Sequence, residues 1–158
     1  MNEIAFDLTA YCGLYCADCN RLESRASDLA CDLLAELDGS GFDKYAQAKC
    51  SISNQPNKRE ELRYYPEFRN ILETIIELKC ENPCRKGGGC PTFNCKIIEC
   101  CLAKGLAGCW LCDNFERCDK LAFLESMHHI TPVENLRAIR EYGIDNWVEH
   151  RGKFYVWD

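Results

Sequence analysis

Cys109-Trp110-Leu111-Cys112 is the most specific signal in this chain, and the predicted fold is built around it. Two thiolates separated by two residues can bind one metal ion through a tight backbone turn, and structural zinc sites combine two such units into a tetrahedron. A second unit of the same spacing, Cys16-Ala17-Asp18-Cys19, lies near the start of the chain. The pattern therefore predicts a metal centre that holds the surrounding chain in place.

Cysteine is unusually abundant, at 14 of 158 residues. In a secreted protein this abundance would indicate disulfides, whereas in a reducing cytosol it more often indicates metal binding or catalysis. The first residues include the acidic Glu3 and Asp7 and no basic region, so they do not resemble a secretory signal. We therefore expect a cytoplasmic protein whose thiols bind metal.

The cysteines outnumber the eight ligands that two four-cysteine zinc sites need, so two zinc ions with spare thiols fit best. Three sites would also require Cys80, Cys101 or a histidine. Adjacent helical residues point about 100° apart, so we expect one of Cys100 and Cys101 to bind metal and the other to pack. With Cys100 taken as the ligand, the candidate metal ligands are Cys12, Cys16, Cys19, Cys84, Cys90, Cys95, Cys100, Cys109, Cys112 and Cys118.

The sequence leaves the pairing of these thiols open. One hypothesis is that the N-terminal group, Cys12, Cys16 and Cys19, completes its zinc shell with cysteines of the segment 80–118. Three closely spaced cysteines alone leave a tetrahedral site one ligand short. Such a crossing would tie distant parts of the chain together, with Gly13 as the tight turn that allows it. A structural zinc site contributes folding free energy directly.

An iron–sulfur cluster is the alternative to zinc. Residues 12–19 have the Cys-x3-Cys-x2-Cys spacing by which radical S-adenosylmethionine enzymes hold a [4Fe–4S] cluster. Those enzymes usually place an aromatic residue before the third cysteine, where this chain has Asp18, and they need a larger α/β barrel. The sequence therefore favours zinc.

A metal- or thiol-dependent enzyme is the alternative to a binding module. No thioredoxin-like βαβ pattern surrounds the Cys-x2-Cys units, and no Cys/His/Asn or paired-carboxylate arrangement stands out. We assign no catalytic residue and favour a structural-zinc interaction module. A formal net charge of −6 argues against a broad nucleic-acid surface, so a protein partner is expected. No apolar run approaches the ~20 residues of a membrane helix.

Outside the cysteines the sequence predicts helices, over about 27–38, 66–79 and much of 113–150. Ser27 is expected to cap the first of these helices, and Thr131-Pro132-Val133-Glu134 reads as a capping box with proline in the first turn. The cysteine-rich parts are 12–19 and 80–118. The predicted fold class is mainly α, a single small zinc-binding domain over 1–158 with an irregular zinc-stapled segment and little β structure. The helix over 66–79 rests on an amphipathic stripe of Phe68, Ile71, Leu72, Ile75 and Ile76.

The ordered set of cysteine motifs resembles the family called domain of unknown function 3795. That family is prokaryotic and cysteine-rich and is expected to bind zinc, so the resemblance implies a zinc-binding fold and supplies no reaction. Cys31, Cys50 and Cys80 match none of its motifs. The residues that carry the resemblance are Tyr11-Cys12-Gly13-Leu14-Tyr15-Cys16-Ala17-Asp18-Cys19, Gly87-Gly88-Gly89-Cys90, Cys95-Lys96-Ile97-Ile98-Glu99-Cys100-Cys101, the segment 109–118, and the segment 135–147.

Overall fold

The computed structural model describes residues 3–51, 59–89 and 95–157. The prediction of a mainly α fold is confirmed. Thr9 and Tyr15 form an isolated antiparallel bridge. The helices are α1 (Glu3–Leu8), α2 (Arg25–Gly39), α3 (Phe42–Ser51), α4 (Tyr65–Glu77), α5 (Lys96–Ala103), α6 (Glu125–His128) and α7 (Thr131–Tyr142). Short 3-10 turns lie at Cys16–Asp18, Glu60–Tyr64, Cys84–Lys86, Cys109–Leu111, Phe115–Arg117, Asp119–Leu124 and Trp147–His150.

The chain divides into two compact units. Met1–Leu22 and Glu81–Asp158 form the first, here called the cysteine unit, and Glu23–Cys80 forms the second, here called the three-helix unit. The expected organisation as one zinc-binding domain stays a prediction. None of the described helices has the length and apolar character needed to span a bilayer.

The three-helix unit is built on the antiparallel pair of α2 and α4. Ser24, not Ser27, caps α2, because the Ser24 hydroxyl accepts a hydrogen bond from the Ser27 amide. Ser27 is instead buried inside the helix, where its hydroxyl donates to the Ile75 carbonyl of α4 at 2.8 Å. The predicted cap was therefore wrong, since a tertiary hydrogen bond occupies the Ser27 hydroxyl. At the other end of the pair, Arg69 of α4 forms an ion pair with Asp38.

The buried core of the three-helix unit is small. Ala30, Ala46, Tyr65 and Leu72 are its buried apolar residues among those described. Small side chains at two of these four positions let the helices approach closely but bury little apolar area. As a result, much of the predicted stripe on α4 remains exposed.

The cysteine unit has a larger core, centred on Trp147 and Leu136, which are both fully buried. The Trp147 indole donates a hydrogen bond to the Thr9 hydroxyl at 3.1 Å, and its ring meets the edge of Tyr15 at 5.7 Å. A buried indole N–H needs such a partner, because an unmade hydrogen bond costs about 1–3 kcal/mol. The N-terminal segment is thereby held against the C-terminal part of the chain.

The start of α7 differs from the predicted capping box. Ile130 occupies the N-cap position, and Thr131 is the first helical residue. The Thr131 hydroxyl is buried and accepts a hydrogen bond from the amide of Phe154 at 3.0 Å. Thr131 therefore binds the C-terminal segment rather than capping its own helix, while Pro132 lies in the first turn as expected.

Gly13 forms the tight turn that the sequence predicted. Its φ is +87°, a left-handed conformation that favours glycine, and its amide donates to the Ala10 carbonyl at 3.0 Å. A Cβ at this position would lie 2.9 Å from both Leu136 Cγ and the Pro132 carbonyl oxygen. The absence of a side chain at Gly13 therefore lets the N-terminal turn pack directly on α7.

Candidate metal centre

Among the described residues, five cysteines line one cleft of about 140 Å³ in the cysteine unit. Two come from the last turns of α5, two from the turn that the Cys-x2-Cys unit forms, and one from the end of the next turn. The same cleft is lined by basic side chains, Lys104, Arg117 and Lys120. The five cysteines are Cys100, Cys101, Cys109, Cys112 and Cys118.

Both Cys-x2-Cys units adopt the same local turn. Cys109 begins a 3-10 turn, and the amide of Cys112 donates to the Cys109 carbonyl at 2.9 Å. In the N-terminal Cys-x2-Cys motif, the amide of Cys19 donates to the Cys16 carbonyl at 3.1 Å. A turn of this kind brings two cysteines, with two residues between them, to the same side of the backbone. Chelation of one metal ion requires this arrangement.

The thiols of Cys101 and Cys109 face each other inside the cysteine unit. Their sulfurs are 3.7 Å apart, and the two residues are only 2% and 8% exposed. The sulfurs are too far apart for a disulfide, whose S–S bond is about 2.0 Å. Cys101 was expected to pack beside a liganding Cys100; it belongs to the buried core, and its sulfur also faces Cys109.

Burial raises the pKa of both thiols above the usual cysteine range. At Cys109 the neighbouring sulfurs of Cys101, Cys12 and Cys118 raise the pKa further, because each would repel a second thiolate. Without a cation the pair is therefore protonated at neutral pH. A bound cation reverses this preference, since a metal ion deprotonates the thiols that coordinate it.

Arg140 of α7 holds the Cys109 turn from outside. Its guanidinium donates to the carbonyls of Trp110 and Cys112, each at 2.7 Å, and lies 4.6 Å above the Phe115 ring. These bonds satisfy two carbonyls of the turn that carries the cysteines. No sequence signal marked Arg140, because its partners lie 30 and 28 residues away in the chain.

Arg85 joins three segments of the cysteine unit. It donates to the carbonyls of Thr9 at 2.6 Å and Ala107 at 2.7 Å. Burial lowers its pKa relative to free arginine. The segments are also linked directly, because the Cys109 amide donates to the Tyr11 carbonyl at 2.8 Å. The Arg85 guanidinium stacks on the rings of Phe6, Tyr11 and Trp110.

The remaining predicted ligands that the structure describes are not among the residues that line the cleft. Cys12 is half-buried and packs on the core. Cys95 is the N-cap residue of α5 and also packs on the core. Cys84 begins the Cys84–Lys86 turn, and Cys90 lies outside the described residues. Cys16 begins the N-terminal turn, and Cys19 follows its last residue.

Asp18, inside the N-terminal Cys-x2-Cys unit, has a structural partner. Both of its carboxylate oxygens accept hydrogen bonds from Arg151, at 2.7 and 2.8 Å, and its side chain is 7% exposed. Lys153 lies 3.5 Å from the same carboxylate. This bidentate pair fixes the N-terminal turn to the C-terminal segment.

Across residues 3–51, 59–89 and 95–157, no group of three or more His, Cys, Asp or Glu side chains stands in a geometry that could hold a metal ion. The described arrangement is a close pair of sulfurs, with further cysteines around one cleft. The zinc ions and the ligand set therefore stay predictions.

The fold and the site define a mainly α, cysteine-rich protein. A family model described as a protein of unknown function (DUF3795) matches residues 8–123, and the chain belongs to that family. No curated protein and no solved structure matches the chain significantly. The match covers both Cys-x2-Cys units and the whole three-helix unit.

Proposed function

We propose that the cysteine unit is a structural zinc-binding module that presents a surface to a protein partner. The observation that carries the proposal is the distance between Cys101 and Cys109. Two thiolates bound to one tetrahedral zinc ion at about 2.3 Å lie about 3.8 Å apart, and these two sulfurs are 3.7 Å apart. The pair thus has the spacing of one edge of a zinc tetrahedron.

The proposed shell consists of Cys101, Cys109, Cys112 and Cys118. Cys112 completes the Cys-x2-Cys unit, and Cys118 lines the same cleft and lies near Cys109. Cys12 is the alternative fourth ligand, since it also lies near Cys109. Zinc with four thiolates carries a formal charge of −2, which Lys104, Arg117 and Lys120 at the cleft would offset.

A second zinc ion would draw on the N-terminal cysteines. Arg21, two residues after Cys19, donates to the Gly89 carbonyl at 3.3 Å. This hydrogen bond connects the segment that follows Cys16 and Cys19 to the turn that follows Cys84. We propose Cys16, Cys19, Cys84 and Cys90 as the second set of ligands, in line with the crossing expected from the sequence.

A structural role follows from the proposed shell. Four thiolates close the coordination of zinc and leave no position for a water or a substrate. The binding free energy of the metal would then contribute to folding. Arg140 supports the turn that carries the ligands by binding the Cys112 carbonyl, and Arg85 supports it by stacking on the Trp110 ring. Groups outside the ligand shell commonly hold metal ligands in place in this way.

The test is metal analysis of the protein purified under reducing conditions. We expect about two zinc ions per chain, with X-ray absorption at the zinc edge showing sulfur neighbours at about 2.3 Å. Iron with a broad visible absorbance would overturn the zinc proposal. Zinc with a water ligand in place of a fourth sulfur would favour an enzyme.

The ligand set is tested with serine variants. Cys101→Ser and Cys109→Ser are expected to lose one zinc ion, whereas the neighbouring Cys100→Ser keeps both. Cys31→Ser serves as a second control, because Cys31 is exposed on α2. Full zinc content in Cys109→Ser would refute the site, and zinc loss in Cys100→Ser but not in Cys101→Ser would move the ligand to Cys100.

A further inference from the structure

The three-helix unit exposes an apolar stripe along α4. Phe68, Ile71 and Leu78 are 40%, 57% and 42% exposed, and Ile75 between them is half-buried. These positions recur at intervals of three and four residues, which places them on one face of the helix. Leu29 and Leu33 of α2, one turn apart, are similarly exposed.

The two exposed sets lie on the same side of the helix pair. Leu29 and Leu33 are rotated by about 60–100° around the α2 axis from the buried Ala30. Phe68 and Ile71 are rotated by about 40–100° in the same sense around the α4 axis from the buried Leu72. The contacts of Ser27 with Ile75 and of Asp38 with Arg69 show that the helices are antiparallel.

In an antiparallel pair, rotations of the same sense lead to the same side. The six side chains therefore line one groove between α2 and α4, here called the apolar groove, which consists of Leu29, Leu33, Phe68, Ile71, Ile75 and Leu78. The ion pair between Asp38 and Arg69 lies on the opposite side, in agreement with this geometry.

The border of the apolar groove is acidic. Asp32 and Glu36 follow Leu29 and Leu33 by three residues on α2, and Glu67 precedes Ile71 by four residues on α4. All three acids belong to exposed residues. Among the described residues, no ion pair reaches any of them.

Three other acids of the same helices are neutralised within the unit. Asp28 pairs with Lys79 at 2.6 Å, while Asp38 and Glu73 both pair with Arg69. Arg25, the first residue of α2, is a basic residue on the groove side, one turn before Leu29. Of the acids of α2 and α4 that have no ion pair among the described residues, three flank the groove, and Glu77 lies on the opposite side of α4.

We propose that the apolar groove binds a basic amphipathic helix of a partner protein. Its floor fits the apolar face of such a helix, and its acidic border fits lysine and arginine on both sides of that face. The stripe from Phe68 to Leu78 extends over about 15 Å of helix, so about three turns of the partner would cover it. A second copy of the chain fits poorly, since its groove has the same acidic border and would bring like charges together.

The probe is an 18-residue synthetic helix with leucine at positions i, i+3, i+4 and i+7 and lysine elsewhere, compared with a peptide that has glutamate in place of lysine. Fluorescence anisotropy with the full chain measures binding. We expect the lysine peptide to bind and the glutamate peptide not to bind. Added salt is expected to weaken binding, because the flanking charges are exposed.

Variants locate the binding surface. Ile71→Glu and the border change Asp32→Lys with Glu36→Lys are each expected to weaken binding of the lysine peptide by about tenfold or more. Phe123→Glu, which places the same charge at an exposed apolar residue of the cysteine unit, controls for net charge and is expected to bind as the wild type. Because the border residues are exposed, their replacement keeps the test valid even if Ile71→Glu unfolds the unit.

Three outcomes would overturn the proposal. The first is equal binding of the lysine and glutamate peptides, and the second is unchanged binding by the border variant. The third is sedimentation showing a dimer that Ile71→Glu dissociates, which would assign the groove to a second copy of the chain.

Discussion

Arg140 contributes to the stability of the cysteine unit through two carbonyls of the turn that carries Cys109. Its replacement in Arg140→Gln removes two hydrogen bonds from a charged donor, so we expect a loss of about 1–2 kcal/mol in unfolding free energy. Urea denaturation measures this change. Arg137→Gln is the matched control, since Arg137 forms ion pairs on the surface of the same helix. A larger loss in the control than in Arg140→Gln would contradict this role.

His128 is expected to make stability depend on pH. Burial lowers its pKa, and its ring meets the rings of Tyr155 at 5.8 Å and Trp157 at 5.6 Å edge to face, while those two rings stack on each other. The unfolded chain, with a histidine pKa near about 6.5, binds the proton more tightly than the folded chain. The stability contributed by the neutral His128 is therefore fully present above the unfolded pKa of about 6.5, and it is lost as the pH falls through the lower pKa of the folded state.

The His128→Gln variant tests this dependence by removing the titrating group. Melting temperatures measured at pH 7.5 and 5.5 are expected to differ less in the variant than in the wild type. Identical pH dependence in the two proteins would show that other groups cause the loss of stability.

At the scale of single residues, spacing identified most of the cysteines that line the cleft. It also identified Gly13 as a turn, because its positive φ is a local property of the backbone, whereas its close approach to α7 could not be predicted from spacing. Spacing could not tell whether Cys100 or Cys101 faces Cys109, since this depends on how α5 is rotated against the next turn. Arg85 and Arg140 were missed because their carbonyl partners are distant in the sequence.

At the scale of elements, the amphipathic stripe predicted α4 to within two residues at each end. The predicted caps at Ser27 and Thr131 were wrong for one shared reason. Each hydroxyl instead bonds a backbone group from another part of its unit, the Ile75 carbonyl in one case and the Phe154 amide in the other. Sequence patterns describe local hydrogen bonds and contain no information about such competing partners.

Removal of metal is expected to affect the helices unequally. α5 carries a proposed ligand, whereas α4 lies in the three-helix unit, which supplies none to either proposed site. A strong chelator under reducing conditions should therefore reduce amide-exchange protection in α5 before it does so in α4. Simultaneous loss of protection in both helices would show that zinc does not stabilise α5 selectively.

At the scale of the whole molecule, the three-helix unit is an insertion whose ends meet. The amide of Glu23 donates to the carbonyl of Cys80 at 3.0 Å, so the chain enters and leaves the unit at neighbouring points. Replacement of residues 23–80 by a short Gly-Ser linker should therefore leave the cysteine unit able to bind zinc in the same amount as the full chain.

Metal analysis of the shortened chain checks this expectation, and the same chain with Cys109→Ser provides the control. A shortened chain without zinc would show that the cysteine unit needs the inserted helices to form its sites. The single-domain prediction would then be favoured over two independent units.

The hydrogen bond between Glu23 and Cys80 also has a consequence for the order of folding. The two parts of the cysteine unit, Met1–Leu22 and Glu81–Asp158, are separated by the whole insertion. If that insertion were unstructured, closing so long a loop would cost conformational entropy before any contact between the two parts formed. The contacts inside the insertion are closer in sequence and are expected to form faster. The three-helix unit should therefore fold first and replace the long loop by a short connection, so that the ligands proposed for the second zinc ion, which lie on both sides of the insertion, meet only afterwards.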